Sequence, residues 1–254
     1  MQIAISEAAI SGYLMALVRA TAWIYICPPF GGRQIPQQVK LGFAAALALA
    51  AGPHLAGHAP PLEVVPLVGS AVIQVAVGMA LGYVGVIVFG VVQAAGSLID
   101  AFSGFNMAQM VDPTSSGMTS VFGRFYQVLA TTLLFTLNGH VLIVRGFLAS
   151  FDATSLDRLD LQRMSDLITL DLGHFLVAAL EIAAPLAAAL LLTELALGML
   201  SRAAPQMNVF MLGMPLKMVV TISLAAVALP LLPSTIEALF DPMIRQGLQI
   251  VGAG

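Results

Sequence analysis

Residues 64–99 read VVPLVGSAVIQVAVGMALGYVGVIVFGVVQAAGSLI, a run without one charged side chain. A hydrocarbon core of about 30 Å is crossed by a helix of about 20 apolar residues. The run is longer than that and predicts one tilted helix continuing past the membrane boundary. The rest of the chain has the same character. Of 254 residues, 59% are hydrophobic and 9% charged, with a mean hydropathy of +0.96. A soluble domain carries about 25% charged residues. The net charge of −3 leaves no basic footprint for nucleic acid. The single cysteine, Cys27, excludes an internal disulfide. The expected fold class is all-α: a polytopic, helical-hairpin protein in contact with membrane lipid.

Breaks in apolarity divide the remainder. The first segment, Ala8–Cys27, carries Arg19 within it, and the residues before it, with Glu7 and no base, form no cleavable signal. Pro28, Pro29, Gly31, Gly32 and Pro36 break the chain before a second segment that ends at Gly52–Pro53. Its apolar part, Leu41–Ala51, is too short to span. Further spans are expected at Phe125–Val144, at about Leu172–Leu200 and at Met218–Ile236, the last distorted or ended by Pro230 and Pro233. The acidic stretch Asp152–Asp171 sets Leu156, Leu159, Met164, Leu167 and Ile168 at helical spacing. It reads as an amphipathic helix on an apolar surface or as a solvated connector. Arg33, Lys40, Arg124, Arg202 and Lys217 fall on one side of alternating spans, which the positive-inside rule makes cytoplasmic. Arg145, Arg158, Arg163 and Arg245 oppose that bias.

Catalytic motifs of the H-E-x-x-H, phosphate-loop and G-x-S-x-G kinds are absent from the sequence. His54 and His58 are four apart, but Gly52, Pro53 and Gly57 argue for a polar loop, and zinc takes at least three protein ligands. No metal, cofactor or catalytic residue is assigned. His140, after Asn138 and Gly139, is either a proton relay or a polar cap on a helix kink. Gly78, Gly82, Gly85, Gly90 and Gly96 allow close helix approach. Intramolecular packing accounts for some of them, and their density over residues 78–96 suggests packing on further helices, either of this chain or of others.

Two irregular stretches hold the candidate functional residues. Gly104–Ser120 reads GFNMAQMVDPTSSGMTS, with Phe105, Met107, Met110 and Met118 among small and polar residues. Irregular backbone at membrane depth must be buried in protein or line a cavity. Methionine adapts its shape, so the stretch is either a compliant seal or a loop folded into the protein's own core. Ser201–Lys217 reads SRAAPQMNVFMLGMPLK. Arg202, Pro205, Gln206, Asn208, Pro215 and Lys217 make it either a broken helix lining a pathway or a hairpin turn. Glu181 and Glu194 lie in the preceding span, where a charge requires a partner. Arg202 and Lys217 are candidates for Glu194. Lys217 is alternatively expected to pair with a carboxylate or helix C-terminus of a neighbouring subunit.

These residues carry a resemblance along nearly the whole chain. RQIPQQVKLGFAAALAL at 33–49, DAFSGFNMAQMVDPTSSG at 100–117, LLFTLNGHVLIV at 133–144 and SRAAPQMNVFMLGMPLKM at 201–218 resemble the FliR family, the R subunit of the flagellar type III secretion export gate. Residues 184–230 also look like the two-helix Q subunit. The resemblance implies a single export-gate subunit over 1–254, with a P-like part at 1–171 and a Q-like hairpin and C-terminal tail at 172–254. It implies partnership with P and Q subunits, the B-type switch subunit and unfolded exported proteins. It implies a place in the bacterial inner membrane, within the flagellar basal body, with the gate raised towards the periplasm. It further implies that the loop near 104–118 plugs the channel through Gly104, Phe105, Asn106, Met107, Met110, Asp112 and Pro113. An injectisome export subunit is the alternative, with Gly213 before Met214 and Pro215 favouring the flagellar form. A small-molecule secondary transporter would need inverted repeats, of which the chain has no convincing second copy.

Overall fold

The computed structural model describes residues 7–55, 60–105, 120–153, 161–206, 208–235 and 238. Among these the regular elements are helical: α1 (Glu7–Ile26), α2 (Gln37–Leu55), α3 (Val64–Ser103), α4 (Val121–Thr136), α5 (Gly139–Ala153), α6 (Leu161–Ala203), α7 (Val209–Ala228) and a 3-10 turn, Leu229–Leu231. Four stretches are long and apolar enough to cross a membrane: Glu7–Ile26, Val64–Ser103, Phe175–Ala203 and Met211–Ala228. The chain is therefore all-helical and membrane-spanning.

The uncharged run forms one helix of 40 residues, about 60 Å at 1.5 Å per residue, twice a hydrocarbon core. Glu63 O accepts the bond from Leu67 N that opens it, and Pro66 sits in the first turn, where a missing N–H costs nothing. At the far end Gly104 takes φ +84°. That left-handed conformation suits glycine and ends helices.

Four boundaries differ from expectation. Phe125–Val144 is not one continuous helix: two helices that together are long and apolar enough for a span bend by 76° at Leu137–Asn138, where Asn138 adopts φ +58°. Asparagine tolerates this conformation. It closes α4 through Asn138 N to Phe135 O (3.3 Å) and opens α5 through Val141 N to Asn138 O (3.0 Å). At Leu172 the helix does not begin anew. Helix α6 runs unbroken from Leu161, because only Gly173, a mild helix weakener, interrupts the pattern there. The stretch expected as an amphipathic helix thus continues into the span from residue 161, and residues 154–160 lie outside the described residues. The interruption Ser201–Lys217 narrows to the turn between Ala203 and Val209. Pro215 is inside α7, and its main effect is to deny Met211 O an i+4 donor. Helix α2 also runs through Pro53 and His54 to Leu55, whereas His58 lies outside the described residues. Pro230 stands in the 3-10 turn that ends α7, as its chemistry requires.

The chain forms two compact units. One comprises 1–88, 135–172 and 240–254. Here α1 packs on α2, and α2 on α5. A Cβ on Gly78 would lie 2.5 Å from Arg19 O, and one on Gly82 3.0 Å from Ile26 Cβ. These two glycines therefore serve contact between α3 and the chain's own α1. The other unit comprises 89–134 and 173–239. In it a Cβ on Gly96 would lie 2.5 Å from Gly123 N and from Phe122 O, so the backbones of α3 and α4 touch.

Candidate functional site

In the second unit the end of α3 and the start of α4 meet around Asp100, which is fully buried. Ser120 Oγ donates to Asp100 Oδ2. Phe122 N donates to both carboxylate oxygens, at 3.1 and 3.2 Å. Ser120 also caps α4, accepting from Gly123 N at 2.8 Å. A carboxylate against a helix N-terminus is stabilised by the exposed amides and the helix dipole, so the buried charge is compensated. On the departing side Gly104 N donates to Asp100 O at 3.2 Å, and Ser103 Oγ to the same carbonyl at 3.1 Å. Phe105 packs edge-on against Phe122, ring centroids 5.7 Å apart. Gly104 and Phe105 thus stand at the base of the stretch assigned to the channel. Asn106, Met107, Met110, Asp112 and Pro113 lie outside the described residues.

The polar hairpin joins α6 to α7 in the same unit. Pro205 and Gln206 are exposed in the turn, and Arg202 is exposed in the last turn of α6. Asn208 caps α7, its side chain accepting from Met211 N at 3.3 Å. Lys217 Nζ lies 3.0 Å from Glu194 Oε1. The partner of Lys217 is therefore the other arm of its own hairpin, not only a neighbouring subunit as one expectation had it. One turn before Lys217, Gly213 admits Leu197 Cδ1 to 3.2 Å of where a Cβ would stand, which lets the arms approach closely enough for the pair to form. Beyond these contacts the arms leave Leu192, Met199, Met211 and Val227 exposed.

The first unit holds a polar cluster that the sequence reading did not anticipate. Arg19, fully buried, donates from Nε to Gln74 Oε1 (2.6 Å) and from Nη1 to Ser150 O (2.9 Å) and Ser150 Oγ (3.2 Å). The Phe151 ring lies 4.3 Å from the guanidinium carbon, a cation–π contact. Trp23 stacks on Phe147 at 4.5 Å beside it. Lys40, also buried, donates to Gly31 O at 2.9 Å and lies 5.2 Å from the Tyr25 ring. His140 stands at the start of α5, its ring 5.0 Å from Phe135 and its buried Nδ1 without a hydrogen bond. Of the two readings of His140, the helix kink is present. Among the described residues no group of three or more His, Cys, Asp or Glu could hold a metal ion.

Residues 10–243 match the family model described as bacterial export proteins, family 1. The chain belongs to that family. It is similar to the flagellar biosynthetic protein FliR of Escherichia coli strain K12, 34% identical over 92% of this chain and 90% of that protein. The FliR of Bacillus subtilis is 29% identical over 94% and 95%. The surface presentation of antigens protein SpaR of Salmonella typhimurium is 29% identical over 81% and 76%. The resemblance to the FliR family drawn from the four sequence stretches is thus borne out. Membership places the chain in a membrane-bound export apparatus.

Proposed function

We propose that this chain is the R-type subunit of a flagellar type III protein export gate, and that it forms and plugs the channel for unfolded flagellar proteins. The near full-length match to flagellar relatives carries the reading: FliR proteins are covered over 90% and 95% of their length, SpaR over 76%. Residues 1–171 form the P-like part and 172–254 the Q-like hairpin and tail. Gly104, Phe105, Asn106, Met107, Met110, Asp112 and Pro113 belong to the plug. Arg202, Pro205, Gln206, Asn208, Pro215 and Lys217 belong to the hairpin. P, Q and B-type subunits surround the chain in the inner membrane, with the gate raised towards the periplasm.

Two physical features support the reading. The hairpin arms keep an apolar surface far larger than their mutual contact covers, with Leu176, Leu192, Leu195, Met199, Met211 and Val219 exposed. The helix ends that flank residues 106–119 are held together by Asp100, Ser120 and Phe122. Expression alone and expression with the P and Q subunits test the assignment. Alone, the chain aggregates or is degraded; with its partners it co-purifies as a stable complex. A monodisperse, stable monomer in mild detergent overturns it.

A further inference from the structure

We propose that Asp100 is a positioning residue: its buried carboxylate clasps the end of α3 to the start of α4 and so fixes the two points between which residues 104–119 are strung. The inference rests on the reading of that stretch as the channel plug. The clasp is built entirely from described side chains and amides. One carboxylate takes a hydroxyl from Ser120 and the amide of Phe122 on both of its oxygens. Its own backbone carbonyl receives Gly104 N and Ser103 Oγ. A single residue thereby ends one helix and begins the next, 20 positions on. The zero-clearance contact of Gly96 with Phe122 and Gly123 sets the two backbones at the distance one carboxylate bridges. The Phe105–Phe122 contact then fixes the first residue that departs.

Tying the ends of a long segment removes conformations it would otherwise explore. A plug must keep its tip in place without being bonded there permanently, since substrates must displace it. Rigidity at the base meets the first demand. Asp100→Asn preserves shape but exchanges an acceptor oxygen for a donor and removes the charge that the α4 amides favour. The clasp is then half open.

The test uses the assembled gate, this chain co-expressed with its P and Q subunits and reconstituted in planar bilayers. The Phe105–Met110 deletion serves as the reference for channel opening. Asp100→Asn and Asp100→Ala are expected to raise resting conductance at least threefold with subunit recovery unchanged. In a Cys27→Ala background, Asp100→Cys with Ser120→Cys is expected to leak in reductant and reseal on oxidation. A merely structural role for Asp100 produces no such reversible response. Wild-type conductance in both Asp100 variants, while the deletion leaks, overturns the clasp and leaves the plug standing. A deletion that does not leak overturns the plug. Amide exchange then decides the clasp alone: it stands if Asp100→Asn speeds exchange at Phe122 tenfold and falls if it does not. If neither Asp100 variant assembles, the residue holds the fold and the proposal falls.

Discussion

Lys217 and Glu194 meet across the hairpin at 3.0 Å, the lysine side chain 18% exposed and the glutamate 59%. The pair closes two apolar arms at a point where either charge alone would be stranded. In water an exposed pair of this kind contributes about 1 kcal/mol or less. Against lipid or apolar protein its value lies in the cost of removing one partner.

Lys217→Met should therefore weaken gate recovery and motility several-fold, because it leaves Glu194 on an apolar face without its cation. Lys217→Met combined with Glu194→Leu should recover much of the loss, since no unpaired charge remains. Lys217→Arg should be milder than Lys217→Met but not silent, the guanidinium being planar and bulkier. Swim diameter and pull-down yield of the three variants measure this. Equal defects in the single and double variants refute the pairing.

At Gly78 and Gly96, substitution by alanine should destabilise by about 1–3 kcal/mol each, the range for overpacking. In both places the added Cβ meets backbone atoms at 2.5 Å, and backbone cannot swing aside as a side chain can. Gly42→Ala is the control, because a Cβ there meets nothing within 4 Å and alanine favours helix. Thermal melts of the purified complex should fall for the first two and hold or rise for the third.

Arg19 is held by Gln74 and Ser150, neither of which is a carboxylate. Arg19→Lys cannot serve both directions, because an ammonium lacks the planar fork. We expect it to lower stability by about 2 kcal/mol, the order of a buried charge-assisted hydrogen bond. Arg19→Met with Gln74→Leu should be less harmful than Arg19→Met alone, since the pair removes the orphaned amide as well. The melting temperature of the complex reports both.

Cys27 is fully buried in the turn after α1. A maleimide should not label the native complex within the time that labels the chain completely in denaturant. Fast labelling of the native form would contradict the packing of Trp23, Phe30 and Phe43 around that turn.

The spans were legible because lipid-facing and buried helices are written as long uncharged runs, of which 64–99 is the clearest. Pro230 and Gly104 ended helices where local chemistry says they should. A helix kink beside Asn138 was one of two readings of His140, but the sharpness of the break was not visible, because asparagine takes the left-handed conformation only when tertiary packing asks for it. Pro215 had the opposite fate: it read as an interruption and was absorbed by a helix. The Arg19 cluster was hidden by distance, its partners lying 55 and 131 residues away. Asp100 and Ser120 were hidden for the same reason, since each looks like an ordinary polar residue until the fold brings them together. Their role at the base of the candidate plug has no local signature.

A channel plugged by this chain should open when the plug is cut away. The ion conductance of the assembled gate after deletion of Phe105–Met110 measures this. A clear rise in resting conductance is expected with the recovery of P and Q subunits unchanged, and a smaller rise when Met107 and Met110 alone become alanine. Resting conductance equal to that of the intact gate would contradict it and return the stretch to the protein's internal packing.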